Sequence, residues 1–276
     1  MSRGSFAYLK LQTAQDRPGI MVRMSSQIVV MIEHIGAFSE LAWRTFRSLF
    51  TAPFDLRAIV YQLESVGVKS MGIVTVTSVF IGMVMAVQFA ISLEKFGAME
   101  YTGRVVGLSF TRELAPTLTA VIVGGRVGSG MAAEVGSMAV TEQIDAIRAL
   151  GADPVKKLVL PRVVASVVGM PVLCMLALVF GFSGANLVTS LQFNIPAPFF
   201  FRTAVSVTTF HDFISGLYKC PCFGLIIAMV GCYFGLTTRG GTEGVGKSTT
   251  ETVVVVSIAI LIADFFLTKL YFLLFG

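Results

Sequence analysis

The stretch from Gly124 to Arg162, GGRVGSGMAAEVGSMAVTEQIDAIRALGADPVKKLVLPR, decides the fold, because an apolar helix ends inside it and a water-facing segment begins. At helical spacing its first half carries small residues on two adjacent ridges. One is Gly124, Gly128, Ala132 and Gly136, and beside it run Gly125, Ser129, Ala133 and Ser137. Such ridges let a second backbone approach closely, and dispersion contacts then hold helices together where lipid supplies no hydrophobic drive. The second half predicts a short helix over 141–150. Thr141 is expected to cap it, Glu142 to sit in the first turn where the helix dipole favours an anion, Gly151 to take the left-handed C-terminal position, and Pro154 to prevent continuation. Val140, Ile144, Ile147 and Gly151 share one face, with Glu142, Asp145 and Arg148 offset from it. At about 1.5 Å per residue this is a rod of roughly 15 Å, too short to cross a bilayer and suited to docking on a partner.

Composition sets the class around that stretch. Charged residues make up 13% of the 276 and hydrophobic residues 55%, against roughly 25% charged in a soluble domain. The chain reads as an all-α, polytopic membrane protein, a length that suits one membrane domain without a separate soluble enzyme. The net charge of +5 bears on orientation rather than on nucleic acid. Cys174, Cys220, Cys222 and Cys232 all lie in apolar stretches and give no metal-ligand or disulfide framework. His34 and His211 are isolated and read as structural. No catalytic residues and no cofactor are expected.

Taken in order, residues 1–26 form a polar arm with Arg3, Lys10, Arg17 and Arg23, and no secretory signal pattern. Residues 27–69 make an amphipathic helix and an elbow. Ile28, Ile32, Ile35, Ala42, Phe46 and Leu49 recur at helical spacing, with Glu33, Glu40, Arg44 and Arg47 elsewhere and Trp43 near the middle. That pattern suits a helix lying in the membrane interface, and a soluble helix packed on a partner is the alternative. Pro53 ends it.

Residues 70–276 form the membrane domain. Ser70 to Leu93 is free of charge and long enough to cross about 30 Å of hydrocarbon. A second span runs from about Val106 into the small-residue helix. The third covers Leu158 to about Leu187, broken by Arg162 and Pro171. NIPAPFFF, Asn194 to Phe201, reads as a proline-punctuated aromatic connection at the opposite interface. The fourth span is about Phe213 to Leu236, and the fifth Thr252 to Phe275. With a cytoplasmic amino terminus, fourteen Lys and Arg fall on the cytoplasmic side and four on the other, with three too deep to assign. That asymmetry places the 141–150 helix in the cytoplasm.

Gly241 to Ser248, GTEGVGKS, matches the phosphate-loop pattern letter for letter. The mechanism needs a strand before the loop, a helix after it and a parallel sheet to hold both. Here an apolar span precedes it and one more span follows, so the stretch reads as a flexible glycine-rich turn. The charges inside the spans read differently. A charge at the bilayer centre costs at least about 2.5–3.5 kcal/mol on insertion scales, so it usually faces a polar cavity or a partner. Arg112, Glu113 and Lys219 are the candidates to line a cavity for a charged head group, with Asp212 seven residues before Lys219 and Pro221 just after it. Snorkelling at the interface is the alternative for Arg112 and Glu113. Arg126 and Glu134 stand about 12 Å apart along one helix and do not pair, whereas Asp264 and Lys269 are expected to meet neighbouring helices or the interface.

These residues also carry a resemblance. AAEVGSMAVTEQIDAIRALGADPVKKLVLPRVVA, Ala132 to Ala165, resembles the signature of the MlaE (YrbE) family, permease subunits of ABC transporters that work with MCE proteins. TRELAPTLTAVIVGGRVGSG from Thr111, GMVMAVQ from Gly82 and GTEGVGKSTTETVV from Gly241 extend it from about Phe54 onward. Lys219-Cys220-Pro221-Cys222 departs from the pattern, and its proline is expected to bend the span near Lys219. The resemblance implies a homodimeric, multi-pass inner-membrane permease with separate cytoplasmic ATPase subunits and a periplasmic ring of MCE-domain protein. It implies movement of phospholipid or a related lipid between the inner membrane and the outer envelope. It assigns ATPase coupling to Glu134, Thr141, Glu142, Gln143, Asp145 and Arg148 around the 141–150 helix. An ATP-independent secondary transporter or channel is the competing class; it predicts repeated halves or paired broken helices, and no second copy of either the small-residue helix or the short helix exists in the sequence.

Overall fold

The computed structural model describes residues 20–50 and 55–275, with side chains described from residue 34 onward, and every regular element among them is helical. Residues 1–47 and 48–276 form two units. Most of the polar arm, with Arg3, Lys10 and Arg17, lies outside the described residues, as does Pro53. The first unit carries α1 (Ile20–Leu49). Along it Glu40 pairs with Arg44 at 2.7 Å, and the rings of Trp43 and Phe46 stack 6.5 Å apart.

The second unit holds five helices long and apolar enough to cross a membrane: α2 (Leu56–Glu94), α3 (Met99–Val140), α5 (Val155–Gln192), α7 (Phe210–Thr237) and α8 (Gly241–Phe275). Between them lie the short α4 (Gln143–Ala149) and α6 (Ala197–Val207). α2 lies along α5, while α3 lies along both α7 and α8, and α7 also contacts α5. α7 is the most buried span and α8 the least.

Several boundaries differ from those the sequence predicts. The first span begins at Leu56, where the Asp55 carboxylate accepts from the Ala58 amide at 3.2 Å, and the second begins at Met99. Pro171 does not break α5, whose helix runs unbroken from Leu160 to Gln192; in a bundle, neighbouring helices satisfy or cover what one proline leaves open. The NIPAPFFF stretch is not a plain connection. Asn194 turns the chain at a φ of 51°. Pro196 caps α6 in extended conformation, with a further proline in its first turn where the missing N–H costs nothing. Phe200, fully buried, packs with Ala86, Val106 and Ala185. The glycine-rich turn is not a turn either: α8 already begins at Gly241. Its first turns are pinned by a 2.8 Å bond from Thr238 Oγ1 to Ser248 Oγ and by the Thr249, Thr250 and Thr252 hydroxyls, each donating to a carbonyl three or four residues back.

Glycines set how closely the spans approach. A Cβ at Gly82 would overlap the Gly181 carbonyl, and one at Gly184 would overlap the Val79 carbonyl, so α2 and α5 cross at backbone contact. On α3 the ridge Gly124, Gly128, Ala132 and Gly136 is buried. Gly124 faces Val256 and Ile260 of α8, Gly128 faces Thr252 and Val256, and Gly136 meets Thr238. The second ridge is more open, with Ser137 exposed and Gly125, Ser129 and Ala133 half-buried.

Overpacking such a crossing is expected to destabilise by about 1–3 kcal/mol or more. Gly184→Leu should therefore lower the thermal unfolding midpoint of the detergent-solubilised protein clearly below that of Gly72→Leu, whose site has no neighbouring atoms. Equal midpoints would contradict the backbone-contact crossing.

Candidate functional site

The site is assembled by interruptions in two helices, met by the unbroken α8. In α3 the α-helical ladder widens into a π turn over Phe110–Leu114, an irregularity frequent at functional sites. It turns Arg112 and Glu113 out beside α7. In α7 the ladder breaks at Tyr218 between Phe210–Leu217 and Lys219–Thr237. Pro221 has no N–H to return to the Leu217 carbonyl, so the bend expected at this proline falls beside Lys219. Gly216 lets the two irregular segments meet, since a Cβ there would overlap the Thr111 carbonyl.

Lys219, 1% exposed, is the hub. Its Nζ donates to Glu113 Oε2 at 2.7 Å, to Thr268 Oγ1 at 2.7 Å and to Asp264 Oδ1 at 3.0 Å, with the Arg112 carbonyl at 3.3 Å. Thr268 Oγ1 donates to the Asp264 carbonyl at 2.8 Å. α3, α7 and α8 are thus tied through one ammonium group. Beside it Arg112 donates from Nε to Asp212 Oδ1 at 2.6 Å and lies 5.7 Å from the Phe272 ring. Asp212 is held in turn by a capping box with Thr209, accepting from its amide at 2.8 Å and its hydroxyl at 2.7 Å. Two aromatic hydroxyls close the same end, Tyr218 on the Leu267 carbonyl and Tyr271 on the His211 carbonyl.

Arg112 and Glu113 are only partly covered, at 34% and 41% exposure. They form the polar wall of a cleft of about 430 Å³ whose other walls are Met85, Phe89, Leu108, Ser109, Leu114 and Phe272. One cation and one anion therefore face an otherwise largely apolar space. Arg112, Glu113 and Lys219 come together as a single cluster. Asp264 and Thr268 belong to it as well. The sequence marks Asp264 as a charge inside an apolar run, but nothing in the spacing of Thr268 marks that residue.

At the other end of the spans, α4 is bolted down by Ile144, which packs with Val135 and Leu158 and against Met138, Ile147 and Leu236. Its remaining face is open: Glu142, Gln143, Asp145 and Arg148 are exposed, and Asp145 pairs with Arg148 at 2.8 Å. Thr141 does not cap this helix. It closes α3, its hydroxyl donating to the Ser137 carbonyl at 2.7 Å. Glu142, rather than lying in the first turn, is the residue before α4 and takes a left-handed φ of 60°. The reason is that α3 continues to Val140, leaving only two residues for a reversal that one of them must make with positive φ. Gly151 is left-handed at 76°. Glu134 pairs across to Arg162 at 2.9 Å, and Arg126 donates to Ser70 Oγ at 2.7 Å. Arg162, which the sequence shows only as a charge opening an apolar span, is thus a buried partner for Glu134.

The sequence profile described as Permease MlaE matches residues 59–270. The chain belongs to the MlaE permease family. Among its relatives, a probable ABC transporter permease protein of Synechocystis sp. is 43% identical over 84% of this chain and 88% of its own length. A probable ABC transporter permease protein of Rickettsia felis is 39% identical over 90% and 96%. Protein TRIGALACTOSYLDIACYLGLYCEROL 1, chloroplastic, of Arabidopsis thaliana is 39% identical over 78% of this chain and 62% of its own. The matched region contains the Lys219 cluster and α4 and leaves out α1. This MlaE-family permease is accordingly a multi-pass membrane protein.

Removing one partner of a buried ion cluster costs about 3–5 kcal/mol, because the remaining charges lose their compensation. Glu113 is partly exposed, so Lys219→Met is expected at the lower end of that range. A chemical or thermal unfolding series in detergent would read it, and a variant as stable as the parent would contradict the hub role of Lys219.

Proposed function

We propose that this chain is the membrane subunit of an ABC transporter that moves phospholipid or a related lipid between the inner membrane and the outer envelope, driven by ATPase subunits on separate chains. The observation that carries the reading is the Arg112–Glu113 wall of the cleft, backed by buried Lys219. A cation and an anion side by side in a largely apolar cleft offer a phosphate one partner and an ammonium the other, while Phe89, Leu108 and Phe272 offer apolar surface to acyl chains. Family membership and the ABC permease relatives support the transporter class. The name of the Arabidopsis relative, a diacylglycerol lipid, supports the lipid class.

In this reading the protein works as a homodimer, with α1 in the inner leaflet, an MCE-domain protein on the periplasmic side and the ATPases beneath α4. The short helix suits a coupling role on physical grounds. Ile144 fixes it to the ends of α3, α5 and α7, and its exposed acidic and basic side chains are available to a partner. A push on it reaches the spans as a rigid-body displacement. Nucleotide binding belongs to the partner in this reading: residues 241–248 form the first two turns of α8 rather than a loop wrapped around a phosphate.

Reversing both α4 acids, Glu142→Lys with Asp145→Lys, is expected to abolish ATP-driven lipid transfer in a reconstituted complex while leaving the oligomeric state unchanged. Wild-type transfer by that variant would contradict the coupling role. Purification from its native membrane without an associated ATPase would contradict the transporter class.

A further inference from the structure

Arg126 is an exposed guanidinium on a membrane-spanning helix, and among the described residues its one hydrogen-bond partner is a neutral hydroxyl, Ser70 Oγ. The nearest acid along the same helix, Glu134, is already neutralised by Arg162 at 2.9 Å. Arg126 therefore leaves one positive charge uncompensated in this region. Ser70 also fixes its level, because the charge-free run of α2 starts there. The guanidinium stands at the edge of the apolar zone, on the side of the spans that carries α4.

Arg126 faces a cleft of about 270 Å³ between α2 and α3, lined also by Gln62, Ser65, Val127, Met131 and Glu134. Gln62 is 92% buried (8% exposed) and has no hydrogen-bond partner among the described residues, although its amide lines this space. Its amide is therefore free to donate to a ligand that enters the cleft. Gly130 keeps the floor clear, with no atom within 4 Å of where a Cβ would stand. Arg126, Gln62 and Ser65 supply donors to this space, and Val127 and Met131 supply apolar surface. An acceptor-rich anion with an apolar remainder fits that arrangement.

We infer that this cleft binds the phosphate of a glycerophospholipid, a second head-group station on α3 separate from the Lys219 cluster. Thirteen residues separate Glu113 from Arg126, about 20 Å along the helix axis. The two stations thus lie near opposite ends of the apolar zone. Arg126 holds the phosphate, Gln62 and Ser65 fix its orientation, and the Glu134–Arg162 pair closes the end of the cleft nearest α4. This assignment rests on the lipid reading proposed above.

The test uses the full chain in nanodiscs that contain phosphatidylcholine with a photoreactive group on its head group, and label is mapped separately on peptides covering 127–131 and 109–114. Wild type is expected to label at both places. Arg126→Gln should lower label at 127–131 by roughly tenfold, the worth of a charge-assisted hydrogen bond, while label at 109–114 persists. Arg126→Lys should retain most of it, and Gln62→Leu, which leaves the charge in place, should lower it several-fold. Unchanged label at 127–131 in Arg126→Gln and Gln62→Leu overturns the inference. So does suppression by inorganic phosphate, which would make the cleft a free-anion site, or crosslinking of these peptides to a second copy of the chain. Label confined to 109–114 in the wild type overturns this station alone, whereas no label anywhere overturns the lipid reading and this station with it.

Discussion

A single ammonium group, Lys219 Nζ, reaches two carboxylates and a hydroxyl from two other helices at 2.7–3.0 Å while almost wholly withdrawn from solvent. Lipid gives polar atoms nothing to bond to, so the bundle has to satisfy that charge internally. The geometry on each side follows from the need. The π turn brings Glu113 to the lysine, the proline-linked break in α7 sets Lys219 beside it, and α8 stays close enough for Asp264 and Thr268 to complete the shell. A buried ion cluster of this kind is weak evidence for stability, since well-packed apolar residues often serve as well or better. In the proposed function its presence in a span serves the cleft beside it.

The rest of the bundle keeps that cluster in register by close backbone approach rather than by large side chains. Gly82 and Gly184 lock α2 to α5, Gly216 seats α7 on the π turn, and the Gly124 ridge carries α8. α3 is common to most of these contacts. It holds the Arg112–Glu113 wall near one end, Arg126 thirteen residues further on, and α4 after its last turn. A displacement of α4 is therefore felt along one continuous helix. In the proposed coupling, that continuity carries a partner's motion to the cleft near the other end of α3.

Much of this was legible in the sequence, and the parts that were not share a cause. Five spans, the buried small-residue ridge and the short helix after α3 follow from hydropathy, spacing and glycine placement. Arg112, Glu113 and Lys219 stand out because charge is rare in such runs. What the sequence does not show is which charge meets which. Glu134 finds Arg162, twenty-eight residues away on α5, and Thr268 joins Glu113 across more than 150 positions. Local rules also failed where tertiary packing overrode them. Gly241 to Ser248 and Asn194 to Phe201 look like turns by composition, yet the first is pinned into α8 through Thr238 and the second is drawn into α6 by burial of Phe200. Thr141 has the chemistry of a cap but spends its hydroxyl on α3, because the preceding helix runs on to meet it.

In the proposed function the Lys219 cluster serves lipid handling and not stability. The most direct measurement combines Lys219→Met, Glu113→Gln and Asp264→Asn in one variant, which removes the lysine together with both carboxylates it pairs with and keeps the Arg112–Asp212 pair, and follows ATP-driven phospholipid transfer by the reconstituted complex. The expected variant folds with stability equal to the parent or greater and transfers no lipid. A stably folded triple variant that transfers phospholipid at the parental rate would contradict it.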